Sequence, residues 1–191
     1  MSRFHRFLTT ISLSLALTYA VFSHSALGDE QGVDNATEIA ALSSFIHEVS
    51  KIERMANEVF RFQTLGILKL SHPELPSSSA KMNEDNVPTH GFSLRQAAGT
   101  AAYEFRKTRG AIFRNQFVTQ EERAAADALI QDMKMMLEQA ETMVAVIDTG
   151  HLEELGSLYM NDVLPLVLRI RDEANGISNG LILRIKLLAI Q

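Results

Sequence analysis

Apolar residues recur at helical spacing in four separate stretches of this chain, and each stretch is bounded by residues that start or stop helices. The first carries Ile39, Leu42, Ile46, Val49 and Ile52 behind Asn35, whose side chain can cap a first turn with Glu38 three residues later. That predicts helix one from Asn35 to about Leu70, stopped by Ser71-His72-Pro73. The stretch at about 72–92 holds Pro73, Pro76, Ser77-Ser78-Ser79, Asn83, Asn86 and Pro88 with little apolar content, which predicts a long loop. Ser93 with Gln96 forms a second capping box, and Leu94, Ala98, Ala101, Phe105 and Ile112 predict helix two, ending near Phe117.

A third capping box, Thr119 with Glu122, opens helix three almost at once, and Glu121 and Glu122 place negative charge where the helix dipole favours it. Ala126, Leu129, Met133, Met136, Leu137, Ala140, Met143, Val144 and Ile147 make its apolar stripe. Asp148-Thr149-Gly150 ends it, Gly150 suiting a left-handed position. The fourth stretch runs from Leu152 to Leu188 in nearly heptad steps. Pro165 lies inside it, so this helix either kinks there or restarts with Asn161 or Asp162 as cap. Asn175-Gly176 and Asn179-Gly180 weaken it again. Four helices with short or loop-spanned reversals and almost no strand pattern predict an all-α fold, an up-down-up-down four-helix bundle.

Ahead of these helices, Arg3 and Arg6 precede an apolar run from Phe7 to Phe22, and Ala26-Leu27-Gly28 fits a small-x-small cleavage site before Asp29. Residues 1–28 therefore read as a signal peptide, with residues 29–191 as one exported, periplasmic-type domain. The alternative is that residues 7–22 stay as an anchor, although that run is shorter than the ~20 residues of a spanning helix. Two of the 18 Lys and Arg precede residue 29 and none of the 23 Asp and Glu does, so the remainder is acidic, with 16 basic against 23 acidic side chains. An acidic surface argues against nucleic acid as a partner.

The chain has no Cys, which removes disulfides, thiol catalysis, c-type haem attachment and cysteine-ligated zinc. Asn35-Ala36-Thr37 is an N-glycosylation sequon that matters only in a eukaryotic secretory route. His47, His72, His90 and His151 follow the signal, and no Glu-x-x-His pair occurs. His151 with Glu154 has a one-turn spacing, but two ligands at a helix start do not make a metal site, so no metal is expected. Met55, Met133, Met136 and Met143 could bind haem iron, yet no His follows residue 151, so the methionines read as core filler and no cofactor is expected.

Arg106, Lys107, Arg109 and Arg114 concentrate positive charge on helix two, with Arg54 and Arg61 on helix one. Arg guanidinium groups fork onto carboxylates, so Arg106 and Arg109 are candidate contacts for a small anionic ligand. The competing reading pairs these cations with Glu53, Glu58 and Glu104 on a solvated face. Leu181 to Ile190 is apolar nearly all round, and is expected to pack on helix one or else to dock on a membrane or partner helix. No nucleophile, base and orienting group can be assembled from the sequence, so a non-enzyme is expected.

Arg106-Lys107-Thr108-Arg109 with Phe113 ahead of Thr119-Gln120-Glu121-Glu122, and Ile147 to Glu154 followed by Val163-Leu164-Pro165-Leu166, resemble the four-helix-bundle sensory domain of methyl-accepting chemotaxis receptors and related sensor kinases. The resemblance covers roughly residues 95 to 175 and consists of helix turns and caps. It implies an extracytoplasmic bundle, often a homodimer, that binds small molecules or a binding protein near one end. Receptors of that family continue into a membrane span and a signalling part, whereas Gln191 follows directly on the last helix, and the family's binding arginines find no residue-by-residue match. The expected function is thus a sensor or binding protein working through a separate membrane partner. The alternative is an envelope adaptor that docks a partner through the apolar tail and the long loop.

Overall fold

A helix with one apolar stripe has to lay that stripe on another element, and four such stripes can bury one another by packing helix on helix. The computed structural model describes residues 30–71 and 90–190, the side chains of residues 30–33, 69 and 90–93 excepted. All regular elements among them are helical: α1 (Glu30–Ser71), α2 (His90–Arg114), α3 (Gln120–Thr149), α4 (Leu152–Leu158), a π-helical turn (Tyr159–Val163) and α5 (Leu164–Leu188). The expected signal, residues 1–28, lies outside the described residues, as does most of the expected loop.

Buried residues trace a heptad-like stripe along each long helix. In α1 it is Leu42, Phe45, Val49, Ile52, Ala56, Val59, Gln63 and Gly66; in α2, Leu94, Ala98, Ala101, Phe105, Thr108 and Ile112. In α3 it is Ala126, Leu129, Met133, Met136, Ala140, Met143 and Ile147, and in α5 Leu166, Ile170, Ala174, Ile177, Leu181 and Ile185. α1 packs on α2, α3 and α5, α2 on α3, and α3 on α5, so one core holds all the long helices.

Two groups of contacts fix the ends. At one, Arg184 of α5 donates to Glu38 Oε1 of α1 (2.5 Å), to Glu122 Oε2 of α3 (2.8 Å) and to the Phe117 carbonyl between α2 and α3 (2.9 Å). Burial works against the Arg184 charge, but the two carboxylate hydrogen bonds outweigh it and push its pKa up. Asn115 Nδ2 donates to the Ala41 carbonyl (2.7 Å), and Arg123 donates to the Phe113 and Asn115 carbonyls at the end of α2. At the other end, Arg95 of α2 meets Asp148 of α3, and Tyr159 meets Thr64 of α1. Gly66 lies so close to α3 that an added Cβ would stand 2.7 Å from Ile147 Cδ1.

Two of the three expected capping boxes do not start their helices. α1 begins at Glu30, so Asn35 is interior, and the Glu38 carboxylate binds Arg184 instead of capping a turn. α2 begins at His90, before Ser93, and ends at Arg114. Thr119 does cap α3: its Oγ1 accepts from the Glu122 amide (3.1 Å) and Glu122 Oε2 accepts from the Thr119 amide (2.7 Å). Gly150 takes the left-handed conformation at φ 74° and donates to the Val146 and Ile147 carbonyls.

Pro165 neither breaks the last helix nor needs a new cap. Leu158, Tyr159, Val163 and Leu164 are all right-handed helical, so α4, the π turn and α5 form one continuous rod. Proline has no N–H to offer and its ring crowds the carbonyl four residues back. The widened turn accommodates this, with the Leu164 amide donating to the Tyr159 carbonyl five residues earlier. Asn161 donates to Ser157 Oγ instead of capping.

Candidate functional site

Small side chains decide where two packed helices leave room between them. Along the α2–α3 seam, Ala98, Gly99 and Ala102 of α2 and Leu137, Val144 and Ala145 of α3 line one space. The result is an open groove of about 530 Å³, within the range of small-molecule sites. A Cβ added at Gly99 would meet nothing within 4 Å, so the groove is empty space and not a tight helix crossing.

The polar groups of the groove are Arg95, Glu141 and Asp148. Arg95 Nη2 donates to Asp148 Oδ2 at 3.2 Å, with the two side chains 63% and 41% exposed. An exposed pair of this kind contributes at most ~1 kcal/mol, so either partner can exchange it for a ligand at little cost. One guanidinium and two carboxylates on an apolar floor suit a small molecule carrying both a negative and a positive group.

Arg106 and Arg109 are not in the groove but continue its α2 wall. Arg95, Gly99, Ala102, Arg106, Arg109 and Phe113 follow at steps of three and four, so they share one face of α2. Arg106 Nε donates to the Ala102 carbonyl (3.3 Å), while the Arg109 guanidinium lies 5.5 Å from the Phe113 ring centre. Both are exposed, and among the described residues neither forms an ion pair. Elsewhere in the basic cluster, Arg61 stands 3.9 Å from Glu58 and Lys107 stands 3.4 Å from Glu104, the solvated pairing expected of a surface. Lys107 also lies 4.2 Å from the Tyr103 ring centre.

Two further polar features were not legible in the sequence. Gln63 is fully buried on the α1 stripe, and among the described residues neither its amide nitrogen nor its amide oxygen has a hydrogen-bond partner. It lies one residue from Thr64, which donates to the Phe60 carbonyl and therefore accepts from Tyr159 at 3.2 Å. Phe60 and Tyr159 stack with ring centres 5.6 Å apart, which fastens the π turn onto α1. The second feature lies between α3 and α5, where the buried Asp132 carboxylate receives both Nε and Nη2 of Arg169. Glu173 adjoins this pair with a buried, unpartnered Oε2; burial first, and then repulsion from Asp132, pushes its pKa up against the pull of Arg169. A stripe search passes over Gln63 because it is not apolar, and over Asp132 because an acid next to Met133 reads as surface.

Among the described residues no three His, Asp or Glu side chains converge as metal ligands, and His151 and Glu154 make only an exposed 3.6 Å pair. Met133, Met136 and Met143 are buried among apolar neighbours. Among the described residues no helix is long and apolar enough to cross a membrane. No family model matches this chain, and no curated protein or solved structure shows significant similarity to it, so the resemblance to chemotaxis-type sensory domains rests on the quoted residues alone.

Proposed function

We propose that this protein is an exported, non-enzymatic sensor or binding protein, built as an up-down-up-down four-helix bundle, that takes a small zwitterionic ligand in the α2–α3 groove and passes its bound state to a separate membrane partner. The observation that carries the reading is the groove itself: an open volume on an apolar floor, edged by a weakly held Arg95–Asp148 pair and by Glu141. Arg95 receives the ligand's anionic group and Glu141 its cationic group, while Arg106 and Arg109 extend the basic wall for a longer anion or a protein partner. The pairing of α1 with α2, α2 with α3 and α3 with α5, with short reversals at residues 115–119 and 150–151, supports alternating helix directions. The likeness of residues 95 to 175 to sensory bundles points the same way. The adaptor reading has an observation of its own, the exposed apolar side chains at the end of α5.

Gly99 supplies the test, because it lines the groove and a side chain there meets nothing. Gly99→Leu fills the groove and, by replacing a helical glycine, stabilises α2 by roughly 0.5–1 kcal/mol. Calorimetric titration of the wild type with a panel of zwitterionic metabolites is expected to find a ligand with Kd of about 1 μM or tighter. That ligand is lost in Gly99→Leu while Tm holds or rises. Binding that survives in Gly99→Leu and in Arg95→Ala would place the ligand elsewhere.

A further inference from the structure

The charged groups of the α2–α3 groove stand at a fixed interval, and the interval selects the length of the ligand. Arg95 near the start of α2 meets Asp148 near the end of α3, while Arg123 near the start of α3 meets the Phe113 carbonyl near the end of α2. The two helices therefore run in opposite directions beside the groove. Seven residues beyond the Arg95–Asp148 contact, forward on α2 and back on α3, stand Ala102 and Glu141. Seven residues are two helical turns, about 10 Å, and return to the same face. The groove is thus a frame with an ion pair at one end and a carboxylate at the other.

Ala102 offers Glu141 no polar side chain, and Arg106, one turn further along α2, donates to the Ala102 carbonyl (3.3 Å). Among the described residues Glu141 forms no ion pair and no side-chain hydrogen bond. Between the two ends Ala98, Gly99, Val144 and Ala145 line the space without a polar side-chain atom, and the helices take up their backbone groups. The middle of a ligand meets apolar surface there. That suits a methylene chain and gives a peptide group no partner from the protein.

We infer that the groove takes a linear ω-amino acid of about the length of δ-aminovalerate, with its carboxylate on Arg95, its ammonium on Glu141 and its methylenes over Gly99. This rests on the groove reading of the proposed function and adds the ligand's length and chain to it. The ligand carboxylate replaces Asp148 on Arg95, an exchange that the exposed pair allows at little cost. Charge-assisted contacts of about 2.8 Å at each end of the frame leave roughly 5 Å between the charged ends of the ligand. An extended chain gains about 1.2 Å per bond, so the two bonds between the charged groups of an α-amino acid fall short, whereas the five of δ-aminovalerate reach about 6 Å.

Calorimetric titration of the purified protein with glycine, γ-aminobutyrate and δ-aminovalerate tests the length. Affinity is expected to rise along the series and to be about tenfold or more higher for δ-aminovalerate than for glycine. Valerate and pentylamine, each lacking one of the two charges, are expected to bind about fivefold or more weakly than δ-aminovalerate. Ala145 is exposed and lines the groove three residues from Asp148, so Glu141→Ala combined with Ala145→Glu shortens the frame to about 4.5 Å. That double variant is expected to bind glycine at least as well as δ-aminovalerate, with helicity unchanged. Wild-type protein that binds glycine as tightly as δ-aminovalerate overturns the length, and a preference for δ-aminovalerate that survives in the double variant overturns the role of Glu141. Alanyl-alanine bound as tightly as δ-aminovalerate overturns the methylene chain. If no member of the series binds while another zwitterion binds and is lost in Gly99→Leu, the ω-amino acid is overturned and the groove reading stands. If no zwitterion binds, both fall.

Discussion

Gln63 is the residue where local rule and fold disagree most sharply. Its neighbours on the stripe, Val59 and Gly66, are buried, and Gln63 is buried with them although both of its amide atoms lack partners among the described residues. A buried polar group without a hydrogen bond costs roughly 1–3 kcal/mol, so Gln63→Leu is expected to raise stability by about that amount in urea unfolding. A variant less stable than wild type would mean that Gln63 is partnered in solution. Polar residues at such heptad positions fix register in other helical assemblies, and here Gln63 sits next to Thr64, whose contact with Tyr159 aligns α1 with the π turn. What the sequence makes legible at this scale is the apolar part of the core: nearly every residue of the predicted stripes in α3 is buried. Gln63, Thr108 and Asp132 were invisible because burial of a polar side chain depends on what the opposite helix supplies, and periodicity carries no record of that.

At the scale of elements, the seam between α3 and α5 combines apolar packing with a charged pair. Arg169 holds Asp132 by two hydrogen bonds, and Glu173, one turn further along α5, adds a second carboxylate to the same partly buried place. Its pKa is raised above the ordinary 4.5, so the folded protein holds that proton more tightly than the unfolded chain does. The stability this supplies is present in full below 4.5 and is lost as pH rises through the raised value; Glu53, raised chiefly by burial with Arg171 opposing, acts in the same direction. Glu173→Gln is therefore expected to be more stable than wild type at about pH 7, with the difference closing by about pH 4. Urea unfolding at both values checks this, and an equal difference at the two pH values would contradict it.

Element boundaries were legible where the capping groups act locally, as at Thr119 with Glu122 and at Gly150. They were misread at Asn35 and Ser93, where cap-type residues lie inside helices already formed before them, whereas at Pro165 a π turn takes the place of a restart with Asn161 or Asp162 as cap.

Over the whole molecule, the all-helical architecture could be read in advance because each apolar stretch repeats at helical spacing. The groove could not. Ala98, Gly99, Ala102 and Ala145 look like weak helix positions, and only the pairing of α2 with α3 shows that together they leave a volume. The basic cluster drew attention to Arg106 and Arg109, whereas the charged groups around the volume are Arg95, Glu141 and Asp148, one helical face shared and one helix added. The two ends of the molecule then have separate roles: the Arg184 end ties α1, α3 and α5 together, and the Arg95 end holds the groove.

Native mass spectrometry of the wild type and Gly99→Leu, each purified from its own cell envelope, tests this account most directly. The account predicts a wild-type mass matching residues 29–191 with a defined small adduct, and the same polypeptide mass without the adduct for Gly99→Leu. An adduct retained in Gly99→Leu, or a bare polypeptide in both preparations, would contradict the groove as the site of a resident ligand.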